Sequence, residues 1–531
     1  MDNEDNIISK KTRGLSALSL TEMLERFSYY GMQAILLYYM YYSAKMGGLG
    51  LNPTMAASIF AIYGSISYLS AACGGYVSDR ILGSQKTVIF GAILIIIGQL
   101  ILSIPLKMLW TLFISLMFLT IGTGLLKPTI STMVGNLYDD NSKSKAYRFT
   151  VFLFGINFGA LLAPIIIGFL GLHFSFHLGF FAGAIAMIIG LIIFKYNSNE
   201  YNRNNSMYTS NPIEPYEVRK IIVFLVLFAI SLALTFLLMW VMDGFNLNNI
   251  ITLLSIITVI IPFVYFFVIT TSTNTTDKER KNMRTYILLF ICAAFFWGIE
   301  EQSPIVIAML VNSSTDNSFM VNKWLGIVIY LVIAGIIGYL VNKKIFNEII
   351  RVIVYLLLIV GFLYTLLHHG AFELSINKSW YQSINPLFIL LFTPLFAKIW
   401  RNKEMSATSS FPLGMLFASL SCLVILLPIV FFSAGQFSPL WIVLTIGIVC
   451  IGEMFISPIG LSVTYRFAPR KFVSQMMGVW YLSDSIGQAI NSQIVKYFSV
   501  NNVNYFLTIG LIGVVLSVIM FVILKTVEIE K

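Results

Sequence analysis

Apolar runs of about 20 residues, enough for a helix to cross the hydrocarbon core of a bilayer, alternate with short polar breaks along this whole chain. The first fall near residues 17–43, 54–77, 87–104, 109–137, 149–171 and 174–195. A polar stretch over 197–218 (NSNEYNRNNSMYTSNPIEPYEV) separates them from two more, near 221–242 and 250–271, and the break TSTNTTDKERKNMR closes that pair. The rest run near 285–312, 324–342, 349–368, 383–400, 408–432, 440–465, 472–497 and 504–526. The pattern predicts an all-α polytopic membrane protein with about sixteen spans, because a lipid-exposed backbone must satisfy its own hydrogen bonds.

The distribution of Lys and Arg orients these spans, since cytoplasmic loops collect positive charge. With the N-terminus inside, 27 of the 34 Lys and Arg fall on the cytoplasmic side, among them Arg80, Lys86, Lys278, Arg280, Lys343 and Lys344. Only Lys45, Lys107, Lys323, Lys378 and Lys496 fall on the other side, while Arg26 and Lys127 lie within predicted helices. An even number of spans puts both termini in the cytoplasm. Removing either the 221–271 pair or the 324–368 pair leaves every other orientation unchanged, so both read as inserted transmembrane hairpins. What remains is two sets of six, the organisation of a carrier that rocks two bundles about a midplane site. The expected division is an N-terminal six-helix bundle over 1–196, a linker with two extra helices over 197–283, and a C-terminal six-helix bundle over 284–531 with a hairpin inserted at about 322–370.

Composition narrows the function. The chain is 58% hydrophobic and 11% charged, against about a quarter charged in soluble domains, and its mean hydropathy of +0.84 leaves no room for a large polar domain. The net charge of +10 does not indicate nucleic acid, because the basic residues are spread between apolar runs and not gathered on one surface. Cys73, Cys292, Cys422 and Cys450 sit inside apolar segments without metal-ligand spacing and are expected to be buried thiols. The N-terminus, MDNEDNIISKKTRG, lacks the apolar core of a removable signal peptide.

Charges inside membrane helices cost about 2.5 to 3.5 kcal/mol each at the centre, so each is a functional candidate. In TEMLERFSYYGMQ, Glu22, Glu25, Arg26, Tyr29, Tyr30 and Gln33 recur at spacings of three and four, one stripe of a helix expected to face a water-filled cavity. Glu22 and Arg26 form an i, i+4 pair in the favourable order. Lys127, in LLKPTI, needs a carboxylate partner. The candidates are Glu300 and Glu301 in FFWGIEEQSP, then Glu453 in CIGEMFISP. Glu300 and Glu301 point about 100° apart on a helix, so at most one should share a cavity with Lys127. The proton affinity of such a carboxylate alternates as a cationic partner arrives and leaves, which is the chemistry of proton coupling. No GxxxxGK[ST] phosphate loop is present.

The run Glu22-x-x-Glu25-Arg26-Phe27-Ser28-Tyr29-Tyr30-Gly31 resembles the proton-dependent oligopeptide transporters of the major facilitator superfamily, whose first helix carries an ExxER motif. Gly75-x-x-x-Asp79-Arg80-x-x-Gly83-x-x-Lys86 is similar to the superfamily's conformational loop between helices two and three. GTGLLKPTISTMVGNLY, FGINFGALLAPIIIG, FWGIEEQ, WYQSINPLF, GEMFISPIGLSVTYRFAP and QMMGVWYL extend the resemblance over nearly the whole chain. It implies a major facilitator fold and a symporter importing di- and tripeptides with protons, with no other cofactor, acting as a monomer in a bacterial cell membrane. It also implies residue roles: Arg26 and Lys127 would attract the peptide carboxylate, and Asn157, Asn385 and Glu453 would hold its amino end. Tyr29, Tyr30, Tyr68, Trp297 and Trp480 would line side-chain pockets, and Glu22, Glu25 and Glu301 would take part in proton movement, with Glu300 a further candidate.

Two features depart from the family pattern. Gln33 stands where the family usually has arginine, which predicts a weaker charge clamp, and the 324–368 hairpin is extra. The rivals are a carrier for another small solute such as nitrate, an amino-acid conjugate or a drug; a membrane-embedded enzyme; and a channel. An enzyme would need clustered metal ligands, yet His173, His177, His368 and His369 lie at predicted outer loops apart from any acid motif. Paired intramembrane charges suit a switching site better than a fixed pore.

Overall fold

Almost every apolar run becomes a helix in the computed structural model, which describes residues 2–106, 108–136, 143–201, 209, 212–242, 244–272, 275–342, 348–367, 372–402, 406–432, 436–469, 473–498 and 503–526. Of the sequence readings, Lys107, Lys343, Lys344, His368 and His369 lie outside the described residues. The first helices are α1 (Asp2–Tyr41), α2 (Pro53–Val77), α3 (Ser84–Ser103), α4 (Leu109–Asn136), α5 (Lys143–Phe169), α6 (Phe176–Tyr196) and the single turn α7 (Ser198–Tyr201). There follow α8 (Pro215–Val241), α9 (Leu247–Thr271), α10 (Asp277–Glu300), α11 (Ala308–Ser314), α12 (Lys323–Asn342) and α13 (Glu348–Leu367). The chain ends with α14 (Ile384–Asn402), α15 (Ala407–Phe431), α16 (Leu440–Phe467), α17 (Val473–Ile494) and α18 (Val503–Thr526).

Local chemistry sets many of the boundaries. Asn52 caps α2 by accepting from the Thr54 amide at 3.0 Å, with Pro53 at the first helical position. Thr276 and Glu279 form a reciprocal capping box at the start of α10. A widened helical turn over Ser78–Leu82 prolongs α2, and Gly83 at φ +79° then permits the sharp entry into α3. Another widened turn, Ser303–Ile307, with Pro304 inside it, joins α10 to α11, so the span expected near 285–312 is interrupted just after Glu300 and Glu301.

Among the described residues ten helical segments are long and apolar enough to cross a membrane: Pro53–Leu82, Ser84–Ser103, Leu109–Val134, Phe152–Phe174, Phe176–Tyr196, Leu247–Thr271, Asp277–Ser314, Ala407–Phe431, Leu440–Phe467 and Val503–Thr526. This makes a helical polytopic membrane protein, with fewer such segments among the described residues than the about sixteen apolar runs counted in the sequence. The difference includes α1 and α17, whose acids, amides, serines and tyrosines dilute their apolar character. Large apolar side chains such as Ile93, Ile97 and Leu100 on α3 and Phe263, Val264 and Phe267 on α9 are exposed, as lipid-facing positions are. Cys73 is exposed too, contrary to the sequence reading, whereas Cys292, Cys422 and Cys450 are buried.

α1 packs on α5 and α6, α3 on α4 and α6, and α2 on α4. Later in the chain α15 packs on α16 and α18, and α10 on α15 and α17. The two sets meet most extensively where α2 lies along α17, flanked by α9. Glycines allow the closest approaches: a Cβ on Gly74 would stand 1.9 Å from the Gly124 carbonyl oxygen, and one on Gly487 would stand 2.6 Å from the Gly298 nitrogen. α12 and α13 pack chiefly on each other. Their ends are joined by an antiparallel ribbon of β1 (Ser318–Val321) and β2 (Phe372–Ser375), with Val321 opposite Phe372. That ribbon departs from the all-α expectation; strands of four residues are too short to leave a clear period-two pattern.

Candidate functional site

The polar stripe of α1 is placed at the junction of α1, α2, α4 and α17. It is buried, not open to water as expected: Glu22, Glu25 and Arg26 are 1–2% exposed, and Tyr29 and Gln33 are also buried. The Arg26 guanidinium is ion-paired with both acids, its Nε lying 3.1 Å from Glu22 Oε1 and against Glu25 Oε2. Arg26 Nη2 and Glu25 Oε1 make no hydrogen bond. A cation held by two carboxylates, with donor and acceptor capacity unspent in a dry site, is poised to exchange partners. Two turns beyond Arg26, Gln33 Nε2 donates to the Tyr29 hydroxyl at 3.0 Å, and the Tyr29 ring lies 5.5 Å from Arg26 Cζ.

Lys127 rests against aromatic rings. Its Nζ sits 3.9 Å from the centroid of the Tyr68 ring and 5.9 Å from that of Tyr481, a cation–π seat between α2 and α17. Tyr481 lies one turn before Asp484 on α17, a buried acid that accepts from Gln488 Nε2 at 2.8 Å. Asp484 belongs to none of the sequence motifs above. Its signal was nonetheless present, an acid midway along the apolar segment 472–497.

The second set of acids faces the other half of the molecule. Asn385 Nδ2, at the start of α14, donates to Glu300 Oε1 at 2.7 Å and reaches Glu453 Oε2 at 3.5 Å. Glu300 and Asn385 line a small cavity with Gln302, Ser303 and Thr445. Glu301 is the C-cap residue of α10. The Tyr30 ring packs edge-on against Tyr29.

The remaining predicted residues lie apart. Asn157 Nδ2 donates to the Leu153 carbonyl of its own helix at 3.0 Å. Trp297 packs on Phe296. Trp480 is buried against Phe411 of α15 and fills the space beside Gly460 of α16. Gly75, Asp79, Arg80, Gly83 and Lys86 cluster where α2 gives way to α3; Arg80 lies over Tyr76, and its carbonyl accepts from the Ile213 amide at 3.3 Å. His177 Nδ1 contacts the Leu102 carbonyl at 2.8 Å and His173 stacks on Phe169, both in packing roles.

At the end where α1 finishes and α2 begins, the two halves are closed against each other. The Tyr42 hydroxyl and Lys378 Nζ both donate to Asn312 Oδ1, at 2.8 and 2.7 Å. Ser379 and Ser383 donate to the Pro164 and Leu161 carbonyls of α5, at 3.0 and 2.7 Å. Ser65 and Ser485 donate to each other's carbonyl oxygens, at 2.9 and 2.6 Å, tying α2 to α17.

Comparison with known proteins decides the family. The PTR2 model of the POT family matches residues 85–337 and 359–515. This chain belongs to the POT family. That is a family of transporters, not of enzymes, within the major facilitator superfamily. The chain is 37% identical to a di-/tripeptide transporter of Lactococcus lactis subsp. cremoris, over 97% of this chain and 95% of that one. Among solved structures, it resembles the peptide transporter POT in complex with sulfate, with a TM-score of 0.82 and 35% identity over 97% of this chain and 95% of that one. It is similar as well to a POT family transporter in complex with 5-aminolevulinic acid, with a TM-score of 0.81 and 32% identity over 97% of both chains.

Proposed function

We propose that this POT-family protein is a proton-coupled symporter that imports di- and tripeptides by alternating access. The observation that carries the reading is the separation of charge across the interior. Arg26 and Lys127 face inward from the first half, while Asn385 gathers Glu300 and Glu453 in the second. A zwitterionic peptide presents one charge at each end, and such a site meets both. The tyrosines around the cations offer apolar walls that accept varied side chains.

The proposed cycle follows from the Arg26 cluster. Two ionised carboxylates on one buried guanidinium hold it firmly, since breaking a buried pair costs about 3–5 kcal/mol. A proton arriving at Glu22 or Glu25 neutralises one of them and frees the guanidinium for the peptide carboxylate. Release of peptide and proton to the cytoplasm re-forms the pair. The widened turn after Glu301 and the opposed contacts at Asn312 supply a hinge and a closure for rocking the two halves.

In this reading α1, α8, α12, α13, α14 and α17 cross the bilayer alongside the ten most apolar segments, giving about sixteen crossings with both termini cytoplasmic. Two six-helix bundles then occupy 1–196 and 284–531, the latter with the 322–370 hairpin, and 197–283 links them. All site residues lie in one chain, so a monomer suffices, and the bacterial relatives favour a bacterial cell membrane. A second reading, a small amino acid rather than a peptide as cargo, draws support from the relative solved with 5-aminolevulinic acid.

The test is uptake of labelled dialanine into proteoliposomes with an inward proton gradient, with and without uncoupler, in wild type, Glu25→Gln and Lys127→Ala. Concentrative uptake that collapses with uncoupler and falls at least about tenfold in both variants is expected, each variant removing about 1.4 kcal/mol or more. No accumulation of dialanine by correctly inserted wild type, with 5-aminolevulinic acid accumulated instead, would overturn the peptide reading.

A further inference from the structure

Lys378 is a half-buried cation with no counter-charge. It begins the turn Lys378–Ser383 that leads into α14, and its Nζ donates to Asn312 Oδ1 at 2.7 Å. Among the described residues no carboxylate pairs with it. An ammonium has three N–H donors, and this bond spends one of them. A neutral donor would serve the closure as well, since the Tyr42 hydroxyl already reaches the same oxygen at 2.8 Å. The charge therefore exceeds what holding the two halves together requires.

Its neighbours fix where it sits and what covers it. Asn377 accepts from the Ser379 amide at 3.1 Å, and Ser379 fills a notch at Gly168 of α5, where a Cβ would run into the serine hydroxyl. Trp380 Nε1 and the Ser379 and Ser383 hydroxyls donate to the carbonyls of Ile165, Pro164 and Leu161, on one face of α5. On the other side α1 lies along α11, with the Tyr38 hydroxyl on the Ala308 carbonyl at 3.3 Å, one turn before Tyr42 meets Asn312. Tyr38, Tyr42 and the α5 carbonyls belong to the first half, whereas Lys378 and Asn312 both belong to the second. Parting of the halves therefore takes Tyr42 and α5 away and leaves Asn312 with Lys378. Along α1 no other basic side chain lies between Arg26 and Tyr42, sixteen residues or about 24 Å further on, and Gln33 between them is neutral.

We infer that Lys378 is the receiving cation of the transporter's outer mouth, binding the carboxylate of an incoming substrate when the halves are apart. In the proposed orientation this end of α1 is the outer one. With the mouth open, the ammonium lines it, aimed by Asn312 and with two donors unspent. Closure returns Tyr42 to Asn312 and α5 to the turn, covers the ammonium, and leaves the substrate carboxylate to the deeper cations Arg26 and Lys127. A charge contact in a hydrated mouth is weak and screened by salt, which suits capture followed by release inward. The identity of the anion rests on the peptide reading.

Lys378→Gln tests it, because a glutamine amide still donates to Asn312 while the charge is gone. Uptake of labelled dialanine into right-side-out proteoliposomes is measured at low and high ionic strength for wild type, Lys378→Gln, Lys378→Arg and Lys45→Gln, the last an exposed lysine three residues beyond Tyr42. Lys378→Gln is expected to raise the half-saturating dialanine concentration about threefold at low salt, the size of one solvated charge contact, with the maximal rate within about twofold of wild type. The gap should close at about 1 M salt, where charges are screened within about 3 Å. Lys378→Arg and Lys45→Gln should stay near wild type. An unchanged half-saturation in Lys378→Gln, a rise that survives high salt, or an equal rise in Lys45→Gln would each overturn the inference. So would a lowered maximal rate with an altered spin-label distance between Ile165 and Trp380, which would make the lysine part of the closure alone. A wild type that takes up no dialanine would instead sink the peptide reading, and the same comparison with 5-aminolevulinic acid, which also carries a carboxylate, would then decide the role of Lys378.

Discussion

At Gln33 a single residue changes what the site can hold. Its amide donates to the Tyr29 hydroxyl at 3.0 Å, two turns beyond Arg26 on the same buried face of α1. Gln33→Arg would set a second guanidinium there and add attraction for a substrate carboxylate, desolvated enough to strengthen it. We expect affinity for dialanine to rise about fivefold, roughly the 1 kcal/mol of one net hydrogen bond, with a matching shift in the pH profile of uptake. Equal affinity and an unaltered profile in equilibrium binding and proteoliposome uptake would show that Gln33 lies outside the charge clamp. Arg26, Lys127 and the paired glutamates were all legible in the sequence, because a charge in an apolar run stands out against its neighbours. Asp484 carries the same signal. Its surroundings are set by Gln488, which fills the groove beside Gly64, and no spacing along α17 announces a contact made with α2.

Among the elements, the α12–α13 hairpin is the most nearly independent. The two helices pack chiefly on each other, and Val321 and Phe372 stand opposite each other in the ribbon at their base. Antiparallel partners so close can be joined by a two-residue turn. Replacing residues 322–371 with Asn-Gly should therefore leave the rest of the fold and the Arg26 cluster in place. The expected result is half-saturation for dialanine uptake within about twofold of wild type, a difference of about 0.4 kcal/mol. Loss of uptake from a shortened chain that still inserts and melts cooperatively would assign the hairpin a step in transport. These helices were legible as runs of apolar residues. The ribbon was not, because its short strands become β structure only when the hairpin brings them side by side, nor was the break after Glu301, where backbone geometry departs from a helix that hydropathy reads as continuous.

For the whole molecule, the contacts at the end of α1 determine which conformation is held. Asn312 Oδ1 accepts from both Tyr42 and Lys378, joining the two halves through one side chain, while Ser379 and Ser383 bind carbonyls of α5 nearby. Asn312→Ala removes the shared acceptor and leaves two donors facing each other. A closure weakened by about 1–2 kcal/mol would move about tenfold more of the population to the opposite state. Spin labels placed at Ile165 and Trp380, on the two sides of that closure, should show a longer distance gain weight in this variant. A distance distribution identical to wild type would mean that the serine bonds hold the closure without Asn312.

The sequence by itself determined that this chain lives in a membrane, where its helices run, and which charges are too costly to be incidental. Each of those follows from a transfer energy that accumulates residue by residue along one helix. Only the tertiary structure decided which polar groups meet: Arg26 between two glutamates, Lys127 on the Tyr68 ring, Glu300 with Asn385, and Asp484 with Gln488. Those pairings depend on how glycines and serines let α17 lie along α2 and α10, and on the order in which distant segments pack. Hydrophobic burial specifies that a polar face must turn inward, but it is indifferent to which polar partner waits there.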